Sequence, residues 1–379
     1  VTTRTVGVEE ELLLVDAVDG HPTPVSDEVV AEALIRSGLT IQHGERWAVG
    51  HEFKREQTEI ASKPCTSMDT LREQLRRLRA DVAEAAEARG VLVAALATSP
   101  MRVHATTTAD TRYEVMSREF GLIASQQLTC GQHVHVSIGS REEGVAVLNR
   151  IRSWLSVITA LSANSPFWQG EDTGYASYRS VVWGQWPTAG PTEVFDDVTS
   201  YDQAVHDLLT SGTTLDDGMI YFDARLSARY PTVEIRVSDV CTDLDDAVLV
   251  AALCRALVDT AAEEWRAGIP APDIRVGLLR AATWRAARAG ISGDLVDARL
   301  GRPVPAWALI NKLLAHLDDS LRNYGDDEVV RSALDRLRER GTGADRQRAS
   351  FERRNVLHDV VKDAVSRTTG NRSNGGLSK

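Results

Sequence analysis

Three stretches set ionisable side chains at alternate positions of runs otherwise rich in Val, Ile and Leu. In VGVEEELLL (6–14) they are Glu9 and Glu11; in QHVHVSI (132–138), His133 and His135; in TVEIRVSD (232–239), Glu234 and Arg236. Successive side chains of a strand point to opposite faces, so each pair shares one face. Val8, Glu10 and Leu12, then Val134 and Val136, then Val233, Ile235 and Val237, take the other. A single half-wet antiparallel strand would show the same alternation. Its polar side would ordinarily mix Lys, Thr and Ser with acids, whereas here the patterns are Glu-x-Glu, His-x-His and Glu-x-Arg. Clustered carboxylates repel one another unless a cation neutralises them. Several Glu oxygens suit Mg²⁺ or Mn²⁺, and a His is compatible with Mn²⁺; zinc would want more His and Cys at ligand spacing.

HEFKREQTEIAS (51–62) adds Glu52 and Glu59. Seven residues make two helical turns, so a helix would put both on one face. A continuous strand would put them on opposite faces, and a turn between two strands would bring them together. An ordinary charged surface segment is the remaining reading. Phosphate cradles of the GxGxxG and GxxxxGK[ST] kinds are absent, as is a GxSxG elbow. Cys130, just before Gly131 and the His-x-His run, is either a core thiol or a nucleophile beside His133.

The elements that must position these groups follow from periodicity. Strands are expected at 5–15, 91–98, 132–138 and 232–239, and helices at 26–37, 66–89, 149–163 and 243–267. In 66–89, Leu71, Leu75, Leu78, Val82 and Ala86 recur at helical spacing, Thr66 or Ser67 can cap the start, and Gly90 stands past the end. Further helices are expected at 273–290, 305–322, 326–340 and 345–367. Residues 164–190, rich in Ser, Gly, Pro, Tyr and Trp, read as a long irregular segment of the kind that is often functional. The polar, Gly/Ser-rich end from 368 to 379 reads as a disordered tail. No internal repeat or interdomain linker interrupts the rest. The expectation is one α+β domain over 1–367, with a largely antiparallel sheet, helices packed on one face, and a helical C-terminal third.

The 379 residues carry 43 Lys+Arg against 54 Asp+Glu, a net charge of −11, and 43% hydrophobic residues. That is ordinary globular chemistry, and the acidic balance disfavours nucleic acid as a partner. Four scattered cysteines without CxxC fit a reducing cytoplasm. The first residues are charged where a signal peptide needs an apolar stretch, and the longest apolar region, 247–262, contains Arg255 and Asp259. No membrane association is therefore expected.

GVEEELLLVD, EFKREQTEIASKPC, CGQHVHVSI, NSPFWQGEDTGYASYRS and TVEIRVSDV, in this order, resemble the carboxylate–amine ligases of the glutamate–cysteine ligase type 2 (YbdK-like) family. The resemblance runs from about residue 5 to about 260, and more loosely to about 365. It implies a glutamine synthetase-like fold whose concave sheet face holds ATP and divalent metal. It implies that Glu9, Glu11, Glu52, Glu59, His133 and Glu234 are metal ligands. Arg236 would face the transferred phosphate, and Glu59 would share its catalytic role. His133 would lie near the nucleotide, while His135 lines the site. Arg179, in GYASYRS, would sit where related ligases hold substrate, or else bind backbone carbonyls in its loop. The activity implied is ATP- and Mg²⁺-dependent (or Mn²⁺-dependent) joining of a small carboxylic acid to a small amine through an acyl phosphate, in a cytoplasmic homodimer. Glutamate and cysteine are the default substrates, and the 167–186 segment is a cover. The alternatives are a metal-dependent hydrolase or phosphotransferase on the same fold and a catalytically silent ATP-binding protein.

Overall fold

The computed structural model describes residues 3–37 and 49–370. Strands β1 (Val6–Asp16), β2 (Val49–His51), β3 (Gln57–Ala61), β4 (Val91–Ala94) and β5 (Gly131–Ser137) come from the first part of the chain. β6 (Phe167–Trp168) and β7 (Glu171–Asp172) form a small hairpin, β8 (Ala224–Leu226) and β9 (Thr232–Asp239) follow, and β10 (Asp294–Asp297) pairs with β11 (Arg302–Pro305). The main sheet has seven strands in the order β2-β3-β1-β5-β9-β8, with β4 also on β1, and its described pairings are antiparallel.

Helices α1 (Ser26–Ser37), α2 (Met68–Glu87), α3 (Thr111–Phe120), α4 (Leu122–Gln126), α5 (Arg141–Ile151) and α6 (Leu155–Ser162) precede the hairpin. Then come α7 (Tyr178–Trp183), α8 (Val198–Thr210), α9 (Leu244–Arg266) and α10 (Val276–Ala289). α11 (Ala306–Tyr324), α12 (Asp327–Arg340), α13 (Gly343–Glu352) and α14 (Leu357–Thr368) are the last among the described residues. The apolar sides of β1, β5 and β9 (Val6, Val8, Val134, Val136, Val233, Ile235) share a core with α9, whose residues are buried nearly all round. This is the α+β arrangement of antiparallel sheet and backing helices that the pattern implies. Among the described residues no helix is long and apolar enough to cross a membrane.

Several expected elements differ. The apolar run 149–163 is two helices, α5 and α6, broken at 152–154. Both are buried on all sides, which erases the periodicity that would mark their ends. Gly144 in α5 also looks like a breaker. A Cβ there would come within 2.5 Å of Leu226 and 2.7 Å of Ile138, so the glycine serves close helix–sheet packing. The single helix expected at 345–367 divides at Asn355, which has φ 56°. β4 ends at Ala94, short of the expected 98. The segment 164–190 contains β6, β7 and α7. α14 runs through Thr368, whose hydroxyl accepts the Ala95 amide at 2.8 Å, so the expected tail does not begin there; 371–379 lie outside the described residues.

Glu10, on the helix-facing side of β1, is matched by Arg79 of α2. The guanidinium donates from Nε at 2.8 Å and Nη2 at 2.7 Å, and also reaches the Cys241 and Thr242 carbonyls. Both side chains are wholly buried. Removing one partner of such a pair leaves a bare charge in low dielectric. Arg79→Met is therefore expected to destabilise the fold by about 3–5 kcal/mol, measured as a lower urea midpoint at unchanged slope.

Candidate active site

The opposite face of the sheet is the floor of a cavity of about 2120 Å³. Glu9, Glu11, Glu52, Glu59, His133, His135, Glu234 and Arg236 all line it. The antiparallel register explains how groups so distant in sequence meet. Glu9 stands opposite His133, Glu11 opposite Glu59, and His135 opposite Glu234, across the neighbouring strands β3, β1, β5 and β9. Glu52 follows β2 directly and Glu59 lies in β3, so the turn at 52–56 brings the two acids to one cavity. The β5–β9 ladder shifts register between Gln132 and Val134, so Arg236 and Val237 together oppose His133 alone. A bulge of this kind re-aims side chains.

The floor is electrostatically divided. Glu9 meets His133 Nδ1 and His135 Nε2, each at 3.5 Å. Burial would raise its pKa, but its hydrogen bonds to the His133 and His135 imidazoles prevail and hold it below the usual carboxylate range. Glu234 Oε2 accepts Arg225 Nε at 2.8 Å, and Oε1 is shared between Arg225 Nη2 at 3.2 Å and Arg236 Nη1. Against its burial, Arg236 and Arg225 hold Glu234 well below the ordinary value. Glu52 is the reverse case: burial and then the Glu11 charge push it up to about 8. At Glu52 itself burial and the charges of Glu11 and Glu9 outweigh that of Arg236, an imbalance that a divalent ion would correct.

The donor set fits such an ion. One ligand atom each from Glu9, His133 and Glu234 lies within 4.8 Å of the others. Burial and then the Arg236 charge depress His133, which keeps the imidazole neutral, the form that ligates metal. Its Nε2 is buried with no hydrogen-bond partner. His135 Nε2 is likewise without a hydrogen-bond partner, while its Nδ1 is engaged with Thr232 Oγ1 at 3.0 Å. The oxygen-rich set with a single imidazole matches Mg²⁺ or Mn²⁺.

Two sequence expectations are resolved differently. Arg179 does not line the cavity. It is buried on the same side of the sheet as Glu11, behind the cavity lining and 5.6 Å from the Trp183 ring, donating from Nη2 to the Arg236 carbonyl at 3.3 Å. A Cβ at position 131 would lie 2.3 Å from that Nη2, so Gly131 makes room for the guanidinium. Arg179 is thus outside the cavity lining, and the carbonyl it reaches is on β9, not in its own loop. Cys130 is fully buried, and burial followed by the Glu11 charge pushes its thiol well above the usual range. It is a core residue, not a thiolate nucleophile.

The sequence reading missed Arg225 and most of the wall. Trp183, Trp186, Tyr221, Phe53 and Tyr113 line one side, with ring centroids of successive neighbours 4.7 to 6.5 Å apart. Arg236 stands 5.8 Å from the Trp183 ring and 5.9 Å from the Tyr221 ring. Only the end of the 167–186 segment reaches this wall; Phe167 packs on Phe351 elsewhere. Arg225 sits in the first arm of a hairpin, ARLSARYPTVEIRV, whose arm of three residues is too short to show alternation.

Comparison with known proteins places this geometry. The model of glutamate–cysteine ligase family 2 matches residues 5–367. A Frankia alni protein is 51% identical over 373 residues, covering 97% of each chain, and one from Streptomyces coelicolor is 48% identical over 365 residues, covering 96% of this chain and 99% of its own. Both carry names of the form "Putative glutamate--cysteine ligase 2". Among solved structures, the glutamate–cysteine ligase of Francisella tularensis in complex with AMP has a TM-score of 0.64 at 13% identity, over 98% of this chain and 90% of that one. A bifunctional glutathione synthetase from Pasteurella multocida has a TM-score of 0.65 at 14% identity, over 97% of this chain and 51% of that one. These two show the fold; the family match and the sequence relatives show descent. The chain belongs to glutamate–cysteine ligase family 2.

Proposed function

We propose that this protein is an ATP-dependent ligase that joins a small carboxylic acid to a small amine through an acyl phosphate. The observation that carries the reading is the convergence of Glu9, His133, Glu234 and Arg236 on one cavity floor, beside the further acids Glu11, Glu52 and Glu59. ATP use is supported by family membership and by the likeness to a ligase crystallised with AMP. Glu9, Glu11, Glu52, Glu59, His133 and Glu234 would hold Mg²⁺, or Mn²⁺ in its place. A divalent cation there supplies Lewis-acid neutralisation of phosphoryl charge.

The reaction balances without a protein nucleophile. A carboxylate oxygen of the acid attacks the γ-phosphorus of ATP, the bond to the β-phosphate oxygen breaks, and ADP leaves. The neutral amine then attacks the acyl carbon, inorganic phosphate departs, and the nitrogen loses a proton. Arg236 is placed to neutralise charge on the transferred phosphoryl group. Its Nε is buried without a hydrogen-bond partner. The aromatic wall limits water at the reacting centre, which protects an acyl phosphate from hydrolysis. The reading carries with it a cytoplasmic homodimer, as expected for the family, and a single catalytic domain over 1–367.

The test is ADP release with Mg²⁺ or Mn²⁺ across pairs of acids and amines, starting from glutamate and cysteine. The expected result is release that requires both partners, with one amide formed per ADP. Release with an acid alone, or with neither, would support the phosphotransferase or hydrolase alternative. No release with any pair, despite ATP binding, would support the silent alternative.

A further inference from the structure

We propose that Arg225 is a positioning residue for the metal site: it fixes the Glu234 carboxylate and ties it to the segment that carries the aromatic wall. The inference rests on the metal reading given above. Arg225 lies directly across the β8–β9 ladder from Glu234. Its Nε and Nη2 grip both carboxylate oxygens at 2.8 and 3.2 Å, a fork that fixes the plane of the acid as well as its place. Its remaining amino group, Nη1, donates to the Ile220 carbonyl at 2.8 Å, with those of Asp217 and Gly218 at 3.4 Å. Those carbonyls belong to the 217–220 turn immediately before Tyr221, whose ring lines the cavity beside Arg236.

Two arginines therefore meet on one carboxylate with different capacities. All three nitrogens of Arg225 are engaged with protein oxygens, which leaves it little donor capacity for a phosphate. Arg236 lines the cavity, bonds Glu234 through Nη1, and has a buried Nε without a partner. Arg225 acts through Glu234, and Arg236 faces the chemistry. A Lys at 225 would supply charge without the two-point fork, so it would restore affinity only in part.

The experiment titrates Mn²⁺ into the full chain without ATP or other substrates and reads free Mn²⁺ by electron paramagnetic resonance. The proteins compared are wild type, Arg225→Met, Arg225→Lys, Glu234→Gln and the double variant Arg225→Met with Glu234→Gln. Loss of an outer partner of a ligand typically weakens metal binding about 10–100-fold. That loss is expected for Arg225→Met, with partial recovery for Arg225→Lys. In the Glu234→Gln background the Arg225→Met effect is expected to fall below about twofold, because the pair acts as one unit. An equal Arg225→Met loss in both backgrounds would overturn the proposal in favour of a general structural role. Wild-type Mn²⁺ affinity in Arg225→Met, together with a raised KM for ATP, would overturn it in favour of a phosphate contact. If Arg225→Met does not fold, the Lys variant carries the same cycle, with a smaller expected loss. A wild type that binds no Mn²⁺ would overturn the metal reading itself and this inference with it.

Discussion

Glu234→Gln is expected to lower acid- and amine-dependent ADP release by at least about 10²-fold with the fold intact. The substitution is nearly isosteric and removes one negative charge from a wholly buried position. It takes an oxygen ligand from the group formed with Glu9 and His133. It also leaves Arg225 and Arg236 facing an amide where each now meets a carboxylate. Glu59→Gln, on the other side of β1, is expected to fall by a similar factor if Glu59 shares the metal set with Glu11, its cross-strand neighbour. The checks are ADP release at saturating ATP and circular dichroism of each variant. Near-normal turnover in both would remove these two carboxylates from the metal site.

Arg236→Ala is expected to act mainly on kcat. Its guanidinium is buried among Glu234, Trp183 and Tyr221, and burial is opposed chiefly by Glu234, which keeps it charged. A fixed charge aimed at a phosphoryl group stabilises the transition state more than bound ATP, and removal of one such donor typically costs about 10²–10³ in kcat. The expected outcome is a fall of that order in kcat, with ATP affinity changed by less than about tenfold. Loss of ATP affinity with kcat preserved would make Arg236 a ground-state binder. Arg236→Lys separates charge from shape: a lysine keeps the cation but not the planar fork, so partial rescue is expected.

Much of this floor is legible in the sequence because a strand's side chains alternate by geometry alone. Glu9 and Glu11, His133 and His135, and Glu234 and Arg236 declare a shared face before any partner strand is known. What alternation cannot say is which strands are neighbours. The pairing of Glu9 with His133, and of Glu11 with Glu59, depends on long-range register. The bulge opposite His133 is similarly invisible, since it is a mismatch between two strands and not a property of either. Arg179 shows a different limit. Its neighbourhood resembles a substrate-binding loop, but α7 directs the guanidinium behind the cavity lining, into space left by the missing side chain of Gly131. The α5–α6 break was hidden for the opposite reason, because helices buried all round carry no polar stripe to mark where they stop.

The seven-stranded sheet divides labour between two kinds of scaffold. The residues proposed to handle phosphate and metal stand, Glu52 apart, on paired strands, where inserting one residue would turn every later side chain of that strand away from its partners. The rings around them stand on two helices, at 113 and 183, and on connecting segments at 53, 186 and 221, where length and bulk can change without disturbing strand pairing. On the proposed reading, relatives can come to join other acids and amines by remodelling these surroundings while the strand-borne centre stays unchanged. Diversity in what is joined, with constancy in how it is activated, follows from where the hydrogen-bonded ladders end.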